Sequence, residues 1–275
     1  MTDFVFIDSG VGGIPYMTTL MQRLPGAGCV YVADSANFPY GEKSHEQVVE
    51  CVCALVQKIC DRFSPSVIVV ACNTMSVNAL DVLRARFTNV KFVGTVPAIK
   101  LAASVSKKRR IGLLATHATC QNPYNIELKN KFASDCCLIC RGDPELVSYI
   151  EHNAFTATRN ECLKAVTPAV DFFRKNECDV IILGCTHFLN ITDIFEEACG
   201  SEIKVVDSVD GVVRHAIEVL ENACVKQGCG GVAGVSTAFP SQKPKLYVTG
   251  FTDDEEKKQY DTICSRFGIE FEELL

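Results

Sequence analysis

Short runs rich in Val, Ile and Leu alternate with longer amphipathic stretches along the chain. The runs predict strands at Phe4–Ile7, Val30–Ala33, Val67–Ala71, Lys91–Val93, Ile111–Ala115, Val180–Leu183, Lys204–Val206 and Leu246–Thr249. Continuous apolar strands are expected where a sheet is covered on both faces. Between them, Ser44–Phe63 reads as a helix, with Ser44 and Gln47 at capping-box spacing. Asn122-Pro123 reads as an N-cap followed by Pro at the first helical position. A last helix is expected after LYVTG, and Gln227–Lys245, with four glycines and two prolines, predicts a flexible loop before that strand. Strands alternating with helices predict an α/β fold of parallel, doubly wound sheets, whose ligands bind beyond the carboxyl ends of the strands.

Two of those strand ends repeat. VIVVACNT (67–74) and VIILGCTH (180–187) each run from a β-branched strand through a small residue to a cysteine and then polar side chains. Cys72 and Cys185 lie 113 positions apart, about the length of one α/β domain. The repeat predicts two similar domains related by a pseudo-two-fold, facing each other across a cleft with one thiol on each side. A single buried cysteine is by default a small core hydrophobe; the repetition singles these two out.

Composition narrows the class. The 275 residues are 48% hydrophobic and 22% charged, ordinary for a globular protein with a sizeable core. A net charge of −6 argues against a nucleic-acid partner, and the basic cluster Lys107–Arg110 reads as a solvated turn. No apolar stretch is long enough to cross a bilayer and MTDFVFIDSG has no signal-peptide character, so a soluble, cytoplasmic protein without a membrane partner is expected. In that compartment most of the 16 cysteines are expected to be reduced thiols. Cys51-x-Cys53 falls in a helix, and Cys137-x-x-Cys140 has no second pair at zinc-site spacing, so no metal site is expected.

Two opposed thiols suit inversion of a carbon centre, where one face loses a proton as the other gains one. A thiolate and a thiol can exchange those tasks between directions. Each cysteine is expected at a strand-to-helix junction, where the helix dipole favours an anion. Asn73, Thr74 and Thr186 would donate to a carboxylate taking on enolate-like charge. His187, two residues after Cys185, reads as an acid or a charge that tunes the thiol. The loop FIDSGVGG follows the first strand but fails both the G-x-G-x-x-G and the P-loop spacing. Its glycines are expected to let backbone approach a small carboxylate ligand, with Asp8 and Ser9 available to an ammonium group.

DSGVGG (8–13), ADSANFPYGEKS (33–44), ACNT (71–74), VGTVPAIK (93–100), IGLLATHAT (111–119), ILGCTH (182–187), VDS (206–208) and YVTG (247–250) together resemble the cofactor-independent glutamate racemases of the aspartate/glutamate racemase group, over nearly the whole chain. The resemblance implies that Cys72 acts on D-glutamate and Cys185 on L-glutamate, assisted by Asp8 and His187. It implies Glu151 as the acidic partner of the histidine, with Glu145 a neighbouring candidate. Ser9, Asn73, Thr74, Thr119 and Thr186 resemble substrate-binding positions, and Pro39, Tyr40 and Gly41 the segment that receives the side-chain carboxylate. It further implies no cofactor, a discontinuous first domain (1–97 with 208–275) around a second (98–207), and D-glutamate supply for peptidoglycan precursors. A homodimer is left open. Phe188-Leu189 stands where the family usually has Tyr-Pro, and Ala118 where it has glycine, which leaves glutamate and aspartate both open as substrate. The competing readings are a thiol-dependent redox protein and a two-lobed amino-acid-binding protein; the first would consume thiols with peroxide, the second would bind glutamate without exchanging its α-proton.

Overall fold

The computed structural model describes residues 2–226 and 243–275. All but the last three residues of the expected 227–245 loop thus lie outside the described residues. The chain divides into two compact units, Met1–Thr95 with Val209–Leu275, and Val96–Ser208. The first begins with β1 (Phe4–Asp8), α1 (Ile14–Arg23), β2 (Cys29–Ala33), α2 (His45–Phe63), β3 (Val67–Val70), α3 (Asn73–Arg86) and β4 (Lys91–Gly94). The second comprises α4 (Ile99–Val105), β5 (Arg110–Ala115), α5 (His117–Gln121), α6 (Pro123–Phe132), β6 (Cys137–Gly142), α7 (Pro144–His152), α8 (Arg159–Lys175), β7 (Val180–Leu183), α9 (Thr192–Cys199) and β8 (Lys204–Val206). The chain completes the first unit with α10 (Val209–Lys226), β9 (Lys245–Val248), α11 (Asp254–Phe267) and β10 (Glu270–Leu274).

Each unit holds one parallel sheet, ordered β10-β9-β2-β1-β3-β4 in the first and β6-β5-β7-β8 in the second. The central strands β1, β3 and β7 are buried along their length, which is why their sequences are apolar without alternation. All eight predicted strands are present, within a residue at either end. Two strands, β6 and β10, escape the sequence pattern. Both are sheet edges, and their sequences CLICRG and EFEEL mix charged with apolar residues because an edge is partly solvated.

Local signals behave as their chemistry requires. Ser44 caps α2 with both bonds of a capping box, and Asn122 Oδ1 accepts from Tyr124 N at 2.9 Å to start α6. The basic cluster is a turn between α4 and β5, where the Asp179 carboxylate accepts the backbone N–H groups of Lys107 and Lys108 at 2.5 and 2.7 Å. Among the described residues no helix is long and apolar enough to cross a membrane.

The two sheets share one frame. In the first, Ile7 pairs with Val70, and Ala71 N donates to Ile7 O at 2.8 Å. In the second, Leu114 pairs with Leu183, and Gly184 N donates to Leu114 O at 2.7 Å. Strands β2-β1-β3-β4 thus correspond to β6-β5-β7-β8, with Cys72 matching Cys185. Asp34 likewise matches Asp143, since Asp34 N donates to Asp8 O and Asp143 N to Ala115 O.

Candidate active site

In the first unit β1 and β3 deliver their carboxyl-terminal residues side by side. Asp8 is fully buried; its Oδ1 accepts from Ser9 N at 2.7 Å, and its Oδ2 from the Tyr31 hydroxyl at 3.3 Å. Tyr31, on β2, also donates to Gly10 O and accepts from Gly13 N, both at 2.9 Å, so it ties the glycine loop to the carboxylate. Gly13 has to be glycine. A Cβ there would lie 2.8 Å from the Cβ and carbonyl oxygen of Ala71 and 3.0 Å from Asp8 Oδ2. The close approach that this glycine permits is therefore to the protein's own β3 end, which brings the start of α1 against the site.

Cys72 is buried and sits at the N-cap of α3, a 14-residue helix whose first-turn N–H groups lack intrahelical acceptors. Asn73 and Thr74 follow in that first turn, both buried, and Asn73 Oδ1 has no hydrogen-bond partner among the described residues. The segment Pro39–Gly41 follows a cis Phe38–Pro39 peptide and enters a single 3₁₀ turn. Tyr40 is buried, and its hydroxyl donates to Asp34 Oδ2. Asp34 also accepts from Thr249 Oγ1 at 2.7 Å and from Asn37 Nδ2 at 3.1 Å. Burial first, and then the Asp34 carboxylate, push the Tyr40 hydroxyl far above the ordinary phenol range, which keeps it protonated and donating.

In the second unit Cys185 is buried at the end of β7, and His187 is almost fully enclosed beside it. His187 Nδ1 lies 3.6 Å from Cys185 Sγ, and Nε2 lies 2.7 Å from Glu151 Oε2. Burial alone would lower the imidazole's pKa; hydrogen bonds to Cys185 and Glu151, with the charges of those two groups, outweigh it and raise the value well above the ordinary one. These contacts favour the protonated imidazole of His187. Glu151 is the carboxylate on the buried face of α7, whereas Glu145 is exposed in its first turn. Thr186 is buried directly after the thiol, and Thr119 is buried in α5. Its neighbour Thr116 caps that helix and reaches Thr119 Oγ1 at 3.1 Å.

One expectation needs correcting. Cys185 precedes not an α-helix but a 3₁₀ segment, Thr186–Ile191, and α9 begins only at Thr192. Hydrogen-bond geometry is poorer in 3₁₀ turns, so a dipole at this thiol is weaker than at Cys72, and the neighbouring group here is the imidazole of His187. Sequence reading also missed Tyr31, Asp34 and Thr249 as supporting residues. Asp34 and Thr249 stood within conspicuous motifs, whereas Tyr31 is hidden inside an apolar strand. Among the described residues no group of three or more His, Cys, Asp or Glu side chains could hold a metal ion.

Comparison with known proteins gives the site its context. Residues 16–216 match the family model described as Asp/Glu/Hydantoin racemase. A glutamate racemase of Treponema pallidum (strain Nichols) is 37% identical over 266 residues, covering 97% of this chain and 94% of that protein. One from Shewanella oneidensis is 37% identical over 225 residues, covering 78% and 81%. Among solved structures, Escherichia coli glutamate racemase, in complex with L-glutamate and the activator UDP-MurNAc-Ala, superposes with a TM-score of 0.84 at 30% identity, covering 100% of this chain and 98% of that one. The chain belongs to the Asp/Glu/hydantoin racemase family, and its class of reaction is racemisation, an isomerase activity.

Proposed function

We propose that the protein interconverts L- and D-glutamate by two-base proton transfer at the α-carbon, with no added cofactor. The observation that carries the reading is the register match of Cys72 and Cys185, two thiols at equivalent strand ends in two units of one frame. Cys185, as a thiolate paired with the His187 imidazolium, takes the α-proton of L-glutamate. Cys72, as a thiol, protonates the opposite face, and the roles exchange for D-glutamate. Glu151 positions His187 and keeps it charged, so that loss of the proton from Cys185 is compensated nearby.

Substrate contacts follow from the same polar ends. Asp8 and the unpartnered Asn73 Oδ1 suit the α-ammonium, one by charge and the other as a buried acceptor in need of a donor. Ser9, Thr74, Thr119 and Thr186 suit the α-carboxylate, whose negative charge grows as the α-proton departs. Pro39, Tyr40 and Gly41, held by Asp34, suit the side-chain carboxylate. L-Glutamate bound to the Escherichia coli relative supports this substrate, and D-glutamate for peptidoglycan precursors, made in the cytoplasm, is the corresponding biological role.

Incubation with L-glutamate in heavy water, followed by chiral separation and mass measurement, tests the reading. The D-isomer with one α-deuterium is the expected product. If neither glutamate nor aspartate gains deuterium, the racemase mechanism falls. If aspartate alone does, the substrate assignment falls.

A further inference from the structure

Two thiols outside the proposed chemistry meet on the second unit. Cys120 lies in α5 and Cys140 on β6, and both are free. The packing of α5 on β6 brings them together. The imidazole of His117 packs so tightly over Gly142 that a Cβ there would lie 2.2 Å from Nδ1. Cys120 stands three residues beyond His117 on the same helix face, and Cys140 two residues before Gly142 on the same strand face. The thiols of Cys120 and Cys140 accordingly lie near enough for each to shift the other's titration. The neighbouring Cys137 has the opposite parity on β6 and turns to the other face.

The pair is chemically unequal. The nearby Cys120 thiol lowers the Cys140 thiol below its ordinary value despite some burial. The Cys140 neighbour, then burial, raise Cys120. Cys140 is exposed on an edge strand, within reach of a small oxidant, while Cys120 is only partly buried behind it. A more acidic, accessible thiol beside a second thiol is the setting of a thiol sensor. Cys120 directly follows Thr119, whose carbonyl accepts from buried Asn125 and whose side chain reaches Thr116, so a covalent bond at Cys120 acts on the helix that presents Thr119.

We propose that Cys120 and Cys140 form a hydroperoxide-responsive thiol pair whose disulfide pins α5 to β6 and suppresses racemisation. The Cys140 thiolate attacks the outer oxygen of the hydroperoxide; the O–O bond breaks, the leaving alkoxide or hydroxide takes a proton, and Cys140 becomes a sulfenic acid. The Cys120 sulfur then attacks the Cys140 sulfur, the S–O bond breaks, and water leaves with the Cys120 proton. Two thiols are oxidised by two electrons and one hydroperoxide is reduced to an alcohol or water. A thiol reductant reverses the change. The regulatory half of this proposal rests on the racemase reading and on Thr119 serving the substrate.

The test treats the full-length protein with hydrogen peroxide, blocks remaining thiols by alkylation, and maps the peptides by mass. It also follows α5 amide exchange and the racemisation of glutamate in the wild type, Cys120→Ser and Cys140→Ser. A Cys120–Cys140 crosslink, slowed exchange in α5 and an at least tenfold loss of activity that dithiothreitol restores are expected for the wild type. Both variants should keep more than half their activity under the same exposure. A crosslink to Cys137, no crosslink, or equal inactivation of wild type and Cys140→Ser overturns the proposal, the last because it would place the damage at other thiols. A crosslink that leaves both α5 exchange and activity unchanged overturns it too. If untreated protein fails to racemise glutamate, the functional reading fails separately, and the crosslink and exchange still decide the thiol pair.

Discussion

The two thiol-bearing strand ends are alike in frame and unlike in chemistry. At the position where the first unit places Asp8, the second has Ala115; two residues after the thiol, where the second unit has His187, the first has Thr74. The titratable neighbour stands on the adjacent strand in the first unit and in the turn that follows the cysteine in the second. The backbone differs in the same sense, because Cys72 opens a 14-residue helix and Cys185 only a 3₁₀ segment. One thiol stands at the N-terminus of a helix, with the Asp8 carboxylate at the end of the adjacent strand. The other relies on an imidazolium propped by Glu151. A repeated fold fixes where a reactive group stands, while the residues around it decide how its charge is balanced.

The most severe way to break this comparison is to remove either thiol. Cys72→Ala and Cys185→Ala should each lose about 10³-fold or more in racemisation rate, in both directions, as expected for deletion of an acid–base group. Survival of substantial activity in either would mean that the two ends are not partners in one reaction. A subtler division separates their assistants. His187→Asn and Asp8→Asn should each lower kcat/KM by about 10²-fold. Enantiomers have an equilibrium constant of one, so each loss must be equal in the two directions. The asymmetry emerges instead in isotope effects. His187→Asn, by slowing transfer at Cys185, should enlarge the effect of α-deuterium on L-glutamate and shrink it on D-glutamate. Asp8→Asn should do the reverse if it serves the Cys72 end. The same isotope pattern in both variants would erase the assignment of one assistant to each thiol.

A pH experiment sharpens the contrast further. His187 has a folded pKa raised above its ordinary value, so its ion pair adds stability that is fully present below about 6.5 and is lost as pH rises through the elevated value. Glu151→Gln should therefore cost about 2 kcal/mol near pH 6.5. Denaturant melts should show that gap narrowing towards pH 10. A gap that is flat with pH would mean that His187 is neutral in the folded protein.

Much of this was legible in the sequence, for reasons tied to burial. Strands β1, β3, β5 and β7 are covered on both faces, so their apolar runs announced them, and the thiols and hydroxyls at their ends stood out against that background. The Ser44 capping box and the Asn122-Pro123 start were readable because they depend on neighbours only a few residues apart. What was hidden depends on distant partners. Tyr31 looks like any core aromatic until its hydroxyl is seen against Asp8 and Gly10. The edge strand β6, CLICRG, carries a single β-branched residue and so did not read as a strand, and without it Cys140 could not be placed opposite Cys120. The choice of Glu151 over Glu145 as the histidine's neighbour rests on which face of α7 is buried, and a loosely patterned nine-residue helix states that weakly.

The smallest expected effects concern Asp34 and Asp143, which hold one register position and perform different duties. Asp34 gathers Tyr40, Asn37 and Thr249 around the segment assigned to the side-chain carboxylate. Asp143 instead caps α7, accepting from Leu146 N at 3.2 Å, and pairs with Arg141 at 2.8 Å, so it supports the helix that carries Glu151. Thr249→Val removes one neutral donor from a carboxylate that keeps its others, a loss of about 1 kcal/mol. If that loss falls on the placement of Tyr40, KM for glutamate should rise about fivefold with kcat unchanged. Asp143→Ala should lower stability by about 1 kcal/mol through the lost cap. It should also lower kcat more than it raises KM, since what loosens is the support of His187 and not a substrate contact. Should Thr249→Val lower kcat with KM unchanged, the Asp34 cluster would be steadying the Cys72 chemistry, and the division between binding in one unit and charge balance in the other would have to be redrawn.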